Sequence, residues 1–281
     1  MKDERFMEKA WALLSSGKYE KALKGKQVAV IGAGGAGENI VLDMVRNGLN
    51  EMEGVDSVVI NSDEAMMERC KSVKKRMLIG KNIDPNPKGA NGSRKIAKKM
   101  VETAKESIEV LIKPYPVVVI IAGLGGGTGS ELILEVTRMS VRKGKMTLAI
   151  PVLPFSAEAS RRGVAKLVLE ELRTTGAKVV EMDNDMLMKP ELMGLPSERA
   201  FGILNRVIQN KIADLHSAAR KALMDEIVKD IIANMPPEDI AISSAEQMET
   251  PSQSVGVPDA ITAETDGMFN ASNGDLPPAA Q

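Results

Sequence analysis

Val117-Val-Val-Ile-Ile-Ala-Gly-Leu-Gly-Gly-Gly-Thr-Gly-Ser130 decides the fold of this chain. Five β-branched apolar residues, Val117 to Ile121, run straight into a segment of five glycines, one Thr and one Ser. The following Glu131-Leu-Ile-Leu-Glu-Val-Thr-Arg138 has the apolar spacing of a helix. Strand, glycine loop and helix in that order bring backbone N–H groups close to a phosphate chain. The glycines permit the approach, and the helix N-terminus supplies partial positive charge.

Outward from this stretch the same alternation recurs. Strands are predicted at Gln27–Ile31, Asp56–Ile60, Arg76–Ile79, Pro116–Ala122, Met146–Val152 and Ala177–Met182, with helical patterns between most of them. Val- and Ile-rich runs separated by helices predict a three-layer α/β fold: a mostly parallel sheet with helices on both faces. Ligands of such sheets sit at the carboxyl ends of the strands, where every motif below falls. From Pro196-Ser197 a long helix is predicted to about Ala233. Phe201, Leu204, Ile208, Ile212, Leu215, Leu223 and Ile227 recur in it at intervals of mostly three or four, and Pro236-Pro237 stops it. Phe6, Ala10, Leu13 and Leu14 predict a short amphipathic helix over 3–16, packed on the body.

The totals narrow the class. The 281 residues are 43% hydrophobic but only 2% aromatic, so the core is aliphatic, with 18 Met as filler. The lone Cys70 excludes a disulfide framework, and no clustered ligands read as a metal site of the chain's own. No apolar run reaches a membrane span and the N-terminus has no signal segment, which points to the cytoplasm. Residues 236–281 hold eight acids and no Lys or Arg; the preceding 235 hold all 37 basic residues against 30 acids. A body of about +7 thus carries a tail of −8, whose composition predicts disorder. The positive body reads as ordinary lysine-rich surface, with attraction to anionic lipid or to the tail as the sharper alternative. Scarce aromatics argue against nucleic acid.

A second glycine loop, Val28-Ala-Val-Ile-Gly-Ala-Gly-Gly-Ala-Gly-Glu-Asn39, fits G-x-G-x-x-G at Gly32, Gly34 and Gly37. Alone this suggests a dinucleotide-binding fold equally well. Such a fold wants an acid closing the next strand; here that strand ends Ile60-Asn-Ser-Asp63, with the acid late. It also has no use for the loop at 123–129. Neither loop ends in Gly-Lys-Ser/Thr, so a Walker-type loop is excluded. Two lysine-free glycine loops suggest that backbone amides hold the phosphates.

Taken together, these strings resemble the FtsZ/tubulin superfamily of GTP-binding filament proteins over roughly residues 25–210. The resemblance implies GTP or GDP with Mg²⁺. By it Gly34, Gly35, Ala36 and Gly37 would face the phosphates and Asn39 the guanine. Asp63 would lie near phosphate and metal. Ala90, Asn91 and Gly92 would stand in the loop that senses the γ-phosphate, although the family's Asn-Pro is Asn-Gly here. Gly125, Gly126, Gly127, Thr128, Gly129 and Ser130 form the signature itself, with the two hydroxyls as donors to phosphate. The family usually continues with Gly, where this chain has Glu131. Pro154-Phe-Ser-Ala-Glu-Ala-Ser-Arg-Arg162 would place Glu158 on the ribose and Arg162 against the nucleotide. As residues, the two also read as a surface i,i+4 pair. Asn184, Phe201 and Asn205 would surround the base, Phe201 by stacking, although an aromatic at that spacing is usually core.

Two features depart from the family. Its acidic hydrolysis loop after the long helix, N-x-D-x-x-D, is absent; Asp225, Glu226 and Asp230 are the candidates, acting in trans, and they also read as the polar face of a helix. The family's second domain has no visible counterpart, which predicts a nucleotide domain at 25–234 between a helical extension and the tail, with one side of the long helix uncovered. Three functions stay open. The first is a GTPase dependent on self-association, in cell division or membrane remodelling. The second is a weakly hydrolysing regulator or scaffold that co-assembles with a full-length relative or a membrane adaptor. The third, disfavoured, is a dinucleotide-dependent enzyme. His216 reads as a packing residue on the long helix.

Overall fold

A computed structural model describes Gly25, residues 27–189, Leu192 and residues 194–233. The helix expected over 3–16 and the tail after Pro236 lie outside the described residues. The β-branched runs form strands β1 (Val28–Ala33), β2 (Val55–Asn61), β3 (Lys75–Leu78), β4 (Val117–Gly123) and β5 (Met146–Leu153), then the two-residue β6 (Lys178–Val179) and β7 (Met182–Asp183). All pair in parallel, in the order β3-β2-β1-β4-β5-β6, with β7 also on β5. The strand expected at Ala177–Met182 is therefore split, although Val180 N–H still donates to the Ala149 carbonyl at 2.9 Å. It is an edge strand, with a neighbour on one side only.

Helices α1 (Gly34–Arg46), α2 (Glu64–Met67), α3 (Arg94–Ile112), α4 (Thr128–Arg142), α5 (Ala159–Arg173) and α6 (Ser197–Ala233) connect or follow the strands. Side chains alternate across the sheet, because successive strand residues point to opposite faces. Ala29, Ile31, Val118 and Ile120 join α3, α4 and α5 through Met100, Ile108, Leu132, Val136, Val168 and Leu172. Val28, Val30, Val119 and Ile121 join α1 and α6 through Val41, Met44, Leu204, Ile208 and Ile212. The strands are buried on both faces, which is why they read as continuous apolar runs. Each fully buried Val, Ile or Leu side chain contributes about 1.5–3 kcal/mol.

The chain leaves β1 toward β2 and β3, then returns to β4 on β1's other side. The crevice between the carboxyl ends of β1 and β4 is thus the topological switch point. Both glycine segments lie there. α1 begins at Gly34, so the glycines of the first segment form its first turn; α4 begins at Thr128, after the short bend Leu124–Gly127.

The direction of α6 bears on function. Asn205 donates to Asp43 Oδ2 at 2.8 Å, Gln209 to the Asn47 carbonyl at 2.9 Å, and His216 Nε2 to the Glu53 carbonyl at 2.9 Å. These partners descend α1 and enter β2, so α6 runs from the carboxyl edge of the sheet to its amino edge. Beyond His216, α6 exposes Met224 and Val228, while Ile227 faces inward.

Candidate functional site

The glycines at the switch point do two jobs. One set lets backbones touch. A methyl group at Gly37 would lie 2.3 Å from the Ile121 carbonyl oxygen, and one at Gly32 would lie 2.4 Å from the Gly37 oxygen. A methyl at Gly129 would meet the Gly123 oxygen at 2.8 Å, and one at Gly127 the Ser93 oxygen at 2.8 Å. Gly34 (φ 65°) presses on Gly129, and Gly125 (φ 84°) on the Arg161 carbonyl, in a backbone region that costs other residues energy. The other set faces open space. Nothing lies within 4 Å of a methyl at Gly126, and only Met66 Cε, at 3.5 Å, comes near one at Gly35.

Both helices that start here lack a side-chain cap, whereas Asp63 caps α2 and Ser93 caps α3. Uncapped first turns leave N–H donors directed into the crevice, beside an open floor. That arrangement suits a phosphate chain. Ala36 and Asn39 are exposed on the same helix. Ser130 is fully buried, and its hydroxyl has no partner among the described residues. The Thr128 hydroxyl is half-buried and hydrogen-bonds the Ser62 hydroxyl at 2.6 Å. Ala90 also turns inward, its side chain in the core, leaving only backbone for a ligand. Asn91 (φ 48°) and Gly92 (φ 76°) are exposed, and Gly89 N–H donates to the Ser62 carbonyl at 2.8 Å.

Beneath the crevice is a polar layer that sequence reasoning missed. Glu38 has no exposed surface and accepts from Asn61 Nδ2 at 2.7 Å; Asn61 Oδ1 accepts from Ser62 N–H at 2.8 Å. Together with Ser62 and Thr128 this chain of contacts ties α1, the end of β2 and α4. Cys70 is buried beside it, its thiol pushed up to about 12 by burial first and Glu38 second. Among the described residues no group of three or more His, Cys, Asp or Glu is placed to hold a metal ion. Asp63 is partly exposed at the crevice edge, with Oδ1 accepting from Met66 N–H at 3.1 Å.

On the far side of the crevice, Glu158 and Arg162 do not pair. Glu158 takes Arg161 at 2.5 Å and the Phe155 N–H at 3.2 Å. Arg162 donates to both carboxylate oxygens of Asp183, at 2.8 and 2.5 Å, and to the Pro154 carbonyl. The reason is reach: Asp183 at the end of β7 offers a planar two-oxygen partner to the guanidinium fork. Asp183 is held below the usual carboxylate range by these bonds, and Arg162 is raised by them. Asp185 is lowered by the Ser156 hydroxyl and N–H. The only clue in the sequence was the pair of acids flanking Asn184.

A depressed carboxylate stabilises the fold fully above its unfolded pKa, and that contribution is lost as pH falls through the folded value. Arg162→Ala is expected to cost about 1 kcal/mol at neutral pH, since the pair is partly solvated. In chemical denaturation repeated at acid pH, the difference should shrink toward the share of the Pro154 bond. A difference that does not change with pH would show that the carboxylate contributes nothing.

Asn184 Oδ1 is buried with no partner among the described residues. Phe201 is 39% exposed and meets Phe155 edge to face, with centroids 6.4 Å apart. Asn205 lies one turn further along α6, its amide nitrogen on Asp43, which leaves its oxygen directed elsewhere. An exposed aromatic, an orphaned amide oxygen and an oriented amide suit a flat polar ring. Asp225 and Glu226 are exposed and Asp230 half-buried near the other end of α6. At 1.5 Å per residue, Asp225 is about 36 Å along the helix from Phe201, out of reach of its own chain's crevice.

No helix among the described residues is long and apolar enough to cross a membrane. Residues 27–190 match the model of the Tubulin/FtsZ family GTPase domain. Cell division protein FtsZ 1 of Methanocaldococcus jannaschii is 32% identical over 223 residues, covering 79% of this chain and 57% of that protein. The solved empty FtsZ dimer of M. jannaschii aligns with a TM-score of 0.59 at 32% identity, covering 69% of this chain and 55% of that one. The GTPγS-bound protofilament of CetZ2 from Haloferax volcanii gives 0.59 at 20% identity, covering 69% and 59%, a likeness of fold alone. This chain spans about half the length of the curated relatives it matches. The family model covers more than half of the chain, carries the glycine signature and ends just past Asn184: the chain belongs to the Tubulin/FtsZ family.

Proposed function

We propose that the unit at 25–234 binds GTP or GDP with Mg²⁺ at the β1–β4 crevice and hydrolyses GTP when a second copy docks on that crevice. The observation that carries the reading is the pair of uncapped helix starts beside Gly35 and Gly126, the two glycines whose missing methyl groups leave space. Bound GTP supplies the phosphoanhydride to be cleaved, and Mg²⁺ neutralises charge on its phosphate oxygens. The N–H groups of Gly35, Ala36, Gly126 and Thr128 would hold those oxygens, with Asp63 near the metal. Asn39, Asn184, Phe201 and Asn205 would take the base, and Glu158 and Arg162 the ribose side.

The acids Asp225, Glu226 and Asp230 sit at the amino edge of the sheet, opposite the crevice. Head-to-tail stacking would set one copy's acids over the next copy's phosphates, where a carboxylate can accept a proton from the attacking water. Relatives named as cell division proteins, and the FtsZ of M. jannaschii solved as a dimer, favour this assembly and a role in division or membrane remodelling. A second reading, a nucleotide-dependent scaffold with little turnover, is favoured by the absence of the N-x-D-x-x-D string.

The deciding experiment is GTP hydrolysis per subunit across a roughly hundredfold range of protein concentration, with nucleotide binding measured in parallel. Specific activity that rises with concentration supports a shared site. Binding without turnover at any concentration supports the scaffold. No binding of guanine nucleotide refutes both.

A further inference from the structure

Glu131 is one turn into α4, beside the phosphate crevice, where a carboxylate would repel an anionic ligand. It does not stand alone. Arg94 Nε donates to Glu131 Oε1 at 2.5 Å, and Arg94 Nη2 to Glu171 Oε1 at 3.0 Å. Arg138 closes the set by donating to Glu171 Oε2 at 3.1 Å. Glu131 is only 9% exposed. Burial by itself would lower Arg94, but its bonds to the two carboxylates outweigh this and raise it. The group lines a cleft of about 420 Å³ between α3 and α4.

What this network holds is the segment just before Arg94. Loop 89–93 rests on the end of β2 through Gly89 N–H and the Ser62 carbonyl, 2.8 Å apart, and through the bridge between Asp63 and Lys88. Its other side touches the start of α4: a methyl at Gly127 would lie 2.8 Å from the Ser93 oxygen and 3.0 Å from Ala90 Cβ. Ser93 N–H closes the loop on the Ala90 carbonyl at 2.9 Å. Arg94 and Glu131 therefore join the first turn of α3 to the first turn of α4 directly behind that contact.

We propose that the Arg94–Glu131 pair is a clamp that fixes loop 89–93 against the glycine segment before any nucleotide binds, which makes Arg94 and Glu131 positioning residues for the nucleotide's terminal phosphate. The role toward nucleotide rests on the function proposed above; the clamp itself does not. A loop already closed spares a ligand that touches it the free energy of closing it, and spares nothing for a ligand that does not reach it. The family resemblance sets Ala90, Asn91 and Gly92 of this loop at the terminal phosphate, and on that placement the clamp favours the triphosphate over the diphosphate.

The test is hydrogen exchange of the nucleotide-free protein, read on the peptide holding the Gly89 and Ser93 amides. Wild type is compared with Glu131→Gln, Arg94→Gln and the double variant. Each single variant should speed exchange of that peptide about fivefold or more, and the double should add little, because both changes break one interaction. Peptides from β1 and β4 should not change. Equal exchange in wild type and variants overturns the clamp. Acceleration that includes β1 and β4 also overturns it, by showing general destabilisation. Should Glu131→Gln not fold, Arg94→Lys, which keeps the charge but not the fork, takes its place with the same criterion. In the nucleotide arm, Glu131→Gln should weaken GTP about fivefold while GDP stays within about twofold. An equal loss for both refutes the positioning role. If neither nucleotide binds even to wild type, the proposed function and the positioning role fall together, and the exchange result still decides the clamp.

Discussion

Gly37→Ala is expected to abolish a stable fold, whereas Gly126→Ala should fold normally and lose its ligand. The two positions read alike in sequence, as glycines of glycine-rich strings. At Gly37 the added methyl would sit 2.3 Å from the Ile121 oxygen and 3.1 Å from the Gly32 carbonyl carbon. Both obstacles are backbone, one in β4 and one in β1, so α1 would have to lift off the sheet. A loss of at least about 3 kcal/mol is expected, at the upper end for overpacking, because no side chain can yield. At Gly126 the methyl meets nothing within 4 Å, and the backbone is outside the positive-φ region. Stability should change by less than about 0.5 kcal/mol. The methyl would occupy the space offered to phosphate, so guanine-nucleotide affinity should drop about tenfold or more, as when a hydrogen-bonded charge loses its donor. Urea denaturation with equilibrium nucleotide titration checks both. A Gly126→Ala protein that binds as tightly as wild type would remove the glycine segment from the site.

The second large effect concerns the acids of α6. Changing Asp225, Glu226 and Asp230 together to their amides should lower turnover about 100-fold, the usual scale for losing a general base, with nucleotide affinity unchanged. Mixing this variant with Gly126→Ala should restore activity above that of either alone. One supplies an intact crevice and the other intact acids. Complementation follows from the roughly 36 Å that α6 puts between Phe201 and Asp225, a distance no side chain bridges. If the triple variant turns over normally, these acids are only the polar face of a helix. If it is inactive and mixing restores nothing, the acids of one copy do not complete the crevice of another and head-to-tail stacking fails.

The strands and the long helix were legible because their signals are local. Val117 to Ile121 has no polar residue to face water, and α6 repeats its apolar residues at helical spacing. The edge strand was less legible: the stretch over Ala177–Met182 reads as one strand and forms two. Partnerships over distance were not legible at all. Glu158 and Arg162 have the spacing of a pair, yet Arg162 takes Asp183, 21 residues away, and Glu158 takes Arg161. Ser130 reads as a phosphate donor beside Thr128 but is fully buried on α4. Glu38, between Gly37 and Asn39, has no local signal of its partner and lies buried on Asn61.

By itself, the sequence determined that this chain is a parallel α/β domain with two glycine segments at one edge of its sheet, because β-branched runs and glycines restrict the backbone residue by residue. Only the tertiary structure decided which glycines touch backbone and which leave room, that Glu131 is neutralised by Arg94, and that the acids of α6 lie at the opposite edge from the crevice. These depend on which surfaces meet once the layers stack, and a contact between residues 37 positions apart, such as Arg94 with Glu131, leaves no periodic trace in the chain.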